Sequence, residues 1–339
     1  MQFRRRSFAL LAVSTVAVTA SSCSGDDAGG DALRVYSGRH YGIEQAFEQF
    51  TAATGIEVQF LTGKDGELRE RIAAEGEDTE ADAFITVDAG NLAAATAQGL
   101  FQPVESTALT TAIPAELRDP EGHWFGLTVR ARTIVHSTER VSPDDAPATY
   151  EELAEPQWKG KICLRNSSNV YQQSLVASLI AEHGEAEALR IVKGWAANAQ
   201  ILANDDLILE SIADGLCDVG ITNHYYLAKK YEENPQFPVA ALWANQDDRG
   251  VHVNISGGGV TKWSDRPAEA QRLLEWLATD GQAVLVSGNH EIPGNPDVAP
   301  DALFTDRFGT DVVRDPLDAA TIGSTNAAAV RLLDEAGYE

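Results

Sequence analysis

The chain is expected to be an α/β protein of two lobes joined by a hinge. Strand-like and helix-like patterns alternate from residue 32 onward, the order that builds a parallel sheet with right-handed crossovers. Two long extended runs, near residues 130 and 255, are each placed to leave one lobe and enter another. The length of 339 residues suits two lobes better than one core.

Each element follows from its pattern. "ALRVY" is a strand, and "GIEQAFEQFTAAT" spaces Ile43, Ala46, Phe47 and Phe50 along one helical face. Gly55 stops that helix, and "IEVQFL" is the next strand. "GELRERIAAEG" turns Leu68 and Ile72 inward as a helix. "ADAFITV" is almost continuously apolar, as a parallel strand covered on both faces should be. "NLAAATAQG" is helical again, and "HWFGLTVRARTIVHS" is the first long extended run. A second α/β unit begins at "TYEELAEPQWKGKICL". It continues through the helices "YQQSLVASLIAEHG" and "EAEALRIVKGWAAN" and the stretch "LILESIADGLCDVGIT". "VHVNISGGGV" is the returning extended run, followed by the helices "RPAEAQRLLEWLAT" and "DAATIGSTNAAAVRLLDEAGY". Its glycines need no ligand if they belong to a hinge strand. Lobe 1 is expected at residues 32–131 and 257–306, and lobe 2 at 132–256 and 307–339.

The first 22 residues read as an export leader. "MQFRRRSF" is basic, and "ALLAVSTVAVTA" is apolar but too short to span a bilayer. "ASSC" then resembles a lipobox, with Cys23 as the lipidated residue and Ala20 where a Leu is usual. Plain cleavage near Ala20 is the other reading. Residues 23–31 are a flexible tether. The protein is therefore expected outside the cytoplasmic membrane, at the cell surface or in the periplasm, held by its lipid alone. Two further cysteines, Cys163 and Cys217, each lie at a strand-like run, and export favours a disulfide over two buried thiols. A formal net charge of −25 with no basic stripe excludes nucleic acid as a partner. No G-x-S-x-G, H-E-x-x-H or P-loop pattern points to an enzyme.

The chemistry concentrates in tyrosines. Of 8 in the chain, Tyr36 and Tyr41 flank "YSGRHY", and Tyr225 and Tyr226 are adjacent in "NHYY". Both stretches follow a strand, where open α/β sheets bind ligands. A phenol is neutral at pH 7 and becomes a strong hard-oxygen ligand only when a highly charged cation displaces its proton. Trivalent iron suits phenolate, whereas zinc and copper(I) prefer imidazole or thiolate. Counting tyrosines alone leaves stacking on a sugar or peptide open.

Several separated blocks add to this. "RVYSGRHYGIEQAFEQFTAATGIEV", "ADAFITVDAGNLAAATAQGLFQPV", "WFGLTVRARTIVHS", "YEELAEPQWKGKICLRNSSNVYQQSLVASLI", "CDVGITNHYYLAK" and "VHVNISGGGVTKWS" together resemble the periplasmic ferric-ion-binding proteins. These are the substrate-binding components of iron(III) ABC importers, with the type 2 periplasmic-binding fold. The resemblance spans residues 32 to 339 in order.

The resemblance to the tyrosine-rich branch implies Fe(III) ligands at His40 and Tyr41 of the "RHY" turn, Tyr171 of "SNVYQQSL", and Tyr225 and Tyr226. Some members dispense with the His and use a synergistic anion such as carbonate. Charge balance asks for an arginine beside three phenolates: Arg132 and Arg130, facing one side of the crossover strand, are the candidates to hydrogen-bond the phenolates or to bind an anion, and the resemblance implies Arg132 as the cleft arginine. A surface ion pair is the expectation for Arg130, and solvent for Arg39, which could otherwise help similarly. Tyr36 is expected behind the site. Asp88 falls where other branches place an acidic ligand, but reads as a helix cap. His224 precedes the tyrosine pair where the family usually has another residue, and is expected to face away. The implied partners are an ABC permease with its ATPase and a ferric ion or ferric chelate, with the protein a monomer. The alternative is a binding protein of the same fold for a small organic ligand: a polyamine, thiamine or a phosphonate.

Overall fold

A computed structural model describes residues 32–39 and 42–339. The leader, the lipidation site Cys23, the tether, His40 and Tyr41 lie outside the described residues. The first half runs β1 (Leu33–Ser37), α1 (Glu44–Thr54), β2 (Val58–Thr62), α2 (Asp65–Glu75), β3 (Ala83–Thr86), α3 (Ala89–Ala97) and α4 (Thr107–Ala112). β1 lies between β2 and β3 and is parallel to both. Ile43, Ala46, Phe47 and Phe50 are buried on one side, as their spacing requires. Gly55 ends α1 with φ 74°, a left-handed cap that glycine adopts without a Cβ penalty.

β4 (Phe125–Ser137) is buried along its whole length. Beyond it come β5 (Ile162–Arg165), α5 (Val170–His183), α6 (Glu185–Asn198), β6 (Ala199–Leu202), α7 (Asp205–Ala213), β7 (Val219–Asn223), α8 (His224–Glu233) and β8 (Val239–Leu242). β5 lies between β6 and β7, again parallel to both. β9 (Val253–Val260) returns antiparallel between β3 and β4. α9 (Pro267–Ala278), α10 (Gln282–Ser287), β10 (Ile292–Pro293), α11 (Ala302–Phe308) and α12 (Ala319–Glu335) complete the chain.

The two parallel sets are joined through β4, which changes partner midway. Residues up to Ala131 pair with β9, with Ala131 opposite Val253. From Arg132 onward the strand pairs with β7, with Arg132 opposite Asn223. This is the two-lobe α/β architecture expected, with its crossings near residues 130 and 255. The glycine run of β9 is steric: a Cβ on Gly257 would fall 2.6 Å from the Phe125 carbonyl, and one on Gly259 2.2 Å from that of His123. Cys163 and Cys217 are joined as a disulfide with Cα atoms 5.8 Å apart. It ties β5 to the approach to β7, the strands that lead towards α5 and α8. Strands β6 and β8 and helices α4, α10 and α11 are too short for their periodicity to stand out in sequence.

Candidate metal centre

Three tyrosines meet at the first turns of two helices. Tyr171 is in the first turn of α5, where the Asn169 side chain caps the helix by accepting from the Tyr171 amide at 2.9 Å. Tyr225 and Tyr226 are in the first turn of α8, immediately after β7. The Tyr225 hydroxyl donates to the Tyr171 hydroxyl at 3.1 Å. The rings of Tyr225 and Tyr226 stack with centroids 4.5 Å apart. On a strand, adjacent side chains would point to opposite faces; the helical turn lets both converge. Helix N-termini favour negative charge, so both helices stabilise phenolates placed there. Burial, followed by charge on Tyr171 and Asp205, pushes the Tyr226 phenol above its ordinary range. That proton leaves only when something stronger displaces it.

Arginines surround this cluster. Arg130 is buried, with its guanidinium carbon 4.8 Å from the Tyr171 ring centroid. Its Nη1 donates to the Ile255 carbonyl at 3.0 Å, while its Nη2 has no partner among the described residues. Burial by itself would lower the Arg130 pKa, but the facing Tyr171 and Tyr225, with Asp88 and Glu291, raise it. Arg165 approaches the same Tyr171 ring at 5.8 Å. Arg132 has a different setting: its Nη1 pairs with buried Asp205 at 2.9 Å and bonds the Asn223 side chain at 3.4 Å. Asp205 also accepts from the Asn223 amide at 3.2 Å, and the Asn223 side chain donates to the Tyr225 hydroxyl at 3.4 Å.

Two expectations are corrected here. Arg130 is not in a surface ion pair; it is the buried arginine against the phenols. Both arginines are on one face of β4, but Arg130 falls on the half paired with β9 and Arg132 on the half paired with β7, beside α7. Arg39 is not solvated either; it is buried against Glu291 and donates to the Leu285 carbonyl at 2.9 Å. Asp88 does cap α3, accepting from the Asn91 amide at 3.0 Å. The His224 ring packs edge-on against Phe304, Phe308 and Tyr225, with centroids 5.2, 5.9 and 6.0 Å apart, and burial lowers its pKa to about 4. Tyr36 bonds Glu75 at 3.4 Å and lies beneath Arg71. Asp205 and Glu291 were not anticipated, because a single buried acid leaves no periodic mark in sequence.

Among the described residues, no group of three or more His, Cys, Asp or Glu side chains is placed to hold a metal ion. The donor set available is phenolic, and it fits a hard, highly charged cation.

The fold is that of the two-lobe periplasmic binding proteins. The chain belongs to the bacterial extracellular solute-binding protein family, whose model matches residues 45–310. It is 39% identical over 323 residues to iron uptake protein A1 of Synechocystis, covering 91% of this chain and 87% of that protein. Iron uptake protein A2 of the same organism is 41% identical over 318 residues, covering 91% and 90%. The solved Trichodesmium FutA (IdiA), in complex with iron and citrate ligands, superimposes with a TM-score of 0.86 at 39% identity, covering 91% of this chain and all of that one.

Proposed function

We propose that this protein captures ferric iron outside the cytoplasmic membrane and delivers it to an ABC permease powered by its ATPase. It acts as a binding protein, not as an enzyme. The observation that carries this reading is the junction of Tyr171, Tyr225 and Tyr226 beside Arg130, in a chain whose relatives are named for iron. Three phenolates offset the charge of Fe(III), and Arg130 lowers the cost of ionising them. Its unpartnered Nη2 is suited to a synergistic anion such as carbonate. His40 and Tyr41 are the ligands proposed for the other lobe. The lobes are proposed as residues 32–131 with 257–306, and 132–256 with 307–339.

Iron binds the three-tyrosine side first, and closure about β4 and β9 brings in the His40–Tyr41 turn. Return of protons to the phenolates, or reduction to Fe(II), favours release. Cys23 carries the lipid that holds this monomer at the membrane, after removal of residues 1–22. Among the described residues no helix is long and apolar enough to cross a membrane.

The test is the visible spectrum of metal-stripped residues 24–339 after addition of ferric citrate. A tyrosinate-to-iron charge-transfer band, abolished in Tyr225→Phe/Tyr226→Phe, is the expected result. A colourless protein that closes on a polyamine, thiamine or phosphonate would sink the proposal.

A further inference from the structure

One short segment between α10 and β10, residues Gly288 to Glu291, contacts residues next to both groups of proposed ligands. It holds the neighbours of the His40–Tyr41 pair on either side. Arg39, just before the pair, is 1% exposed and ion-pairs with Glu291, which is equally buried. Gly42, just after the pair, has φ +67° and lies so near Gly288 that a Cβ on Gly288 would fall 2.7 Å from the Gly42 Cα. The same segment holds a neighbour of the other group. The His290 carbonyl accepts from His224 Nε2 at 2.8 Å, and His224 directly precedes Tyr225 and Tyr226.

The segment is itself rooted. Glu291 accepts from the Thr128 hydroxyl of β4 at 3.0 Å and from the Ser256 hydroxyl of β9 at 3.4 Å. Burial works against its ionisation, but Arg39 and then Arg130 hold its carboxyl below the usual range. His290 has a left-handed φ of 53°, which a non-glycine residue keeps only when its surroundings impose it. Its ring is clamped between Asp301 at 2.7 Å and Glu232 at 3.0 Å.

We propose that residues 288–291 are a positioning element, anchored by Glu291, that braces Arg39 and Gly42, the residues flanking the proposed ligands His40 and Tyr41, together with His224, which precedes Tyr225 and Tyr226. Glu291 acts through Arg39, so it is a positioning residue and not a ligand. The inference rests on the reading of His40 and Tyr41 as iron ligands. Partners that orient metal ligands are worth about 10–100-fold in affinity.

The test is a double-mutant cycle on the full chain, read as iron release to a competing chelator. Glu291→Gln is expected to keep the visible band at saturating ferric citrate and to release iron about 10–100-fold faster. In a His40→Ala/Tyr41→Phe background, adding Glu291→Gln should change release by less than about 2-fold, since the turn it positions no longer binds. If Glu291→Gln does not fold, Gly288→Ala enters the same cycle with the same expectations, because its methyl drives Gly42 off the segment without altering charge. Wild-type release from the coloured variant, or an undiminished effect in the His40→Ala/Tyr41→Phe background, would overturn the inference. Unchanged release by His40→Ala/Tyr41→Phe alone would remove its premise and overturn it too. Failure of the iron reading itself is distinguishable, because the unaltered protein would then show no band.

Discussion

On the β9-paired half of β4, Arg130 finds a carbonyl at 3.0 Å, a hydroxyl at 3.4 Å and the ring of Tyr171, but no carboxylate in direct contact among the described residues. On the β7-paired half, two residues along the same face, Arg132 is neutralised by Asp205 at 2.9 Å. The two side chains have the same chemistry and the same direction, yet only Arg132 is in a direct ion pair. A buried guanidinium is costly unless negative charge lies near it; at Arg130 the carboxyls of Asp88 and Glu291 act from a distance, and the groups it faces directly are the phenols of Tyr171 and Tyr225. Arg132 has spent its charge within the fold. Through Asp205 and Asn223 it supports the turn from which Tyr225 projects. Arg132 is thus committed to a direct ion pair inside the fold, while Arg130 keeps a guanidinium face towards the phenols.

The comparison breaks most visibly at the scaffold end. Asp205→Ala leaves Arg132 buried and unpaired, and should lower stability by about 3–5 kcal/mol in denaturant unfolding of the iron-free protein. A much smaller loss would mean that Arg132 is not held by that pair.

At the join, His224 accepts from the Ala131 amide at 3.1 Å, between the two arginines. Burial, opposed by its bonds to the His290 and Ala131 backbone, lowers its pKa from 6.5 to about 4. The unfolded chain thus binds more protons than the folded one between those values. The contribution is complete above pH 6.5 and is lost as pH falls towards about 4, amounting to about 3 kcal/mol. Unfolding free energies measured across that window, with His224→Gln as the reference, should flatten in the variant.

The smallest effect belongs to the ligand end. Arg130→Gln should change unfolding by about 1 kcal/mol while weakening iron binding about 10–100-fold, measured by chelator competition. If Arg130→Gln instead destabilised the protein as strongly as Asp205→Ala, the division between the two halves of β4 would fail.

Legibility in the sequence followed the same division. The main helices and strands were readable because burial repeats every 3.6 or 2 residues; Ile43, Phe47 and Phe50 are one case and "ADAFITV" another. Tyr225 and Tyr226 stood out because two adjacent phenols after a strand are uncommon, and the helix cap at Asp88 was legible from its place before "AGN". The roles of Arg130 and Arg132 were not. Strand alternation puts both on one face and says nothing about which neighbour each half of the strand meets. Arg39 read as solvated because its partner is 252 positions away.

By itself, then, the sequence determined the α/β order, the two crossing strands, the glycines that let β9 fit, and the tyrosines offered to a ligand. These depend on local periodicity, on steric demands of single residues, or on side-chain chemistry. Only the tertiary structure decided which arginine faces the phenols, that Asp205 answers the other, and that residues 288–291 contact Arg39, Gly42 and His224. Those outcomes depend on pairings between residues far apart in the chain. A buried charge is settled by whichever group the fold carries within about 3 Å of it, and local pattern does not encode that distance.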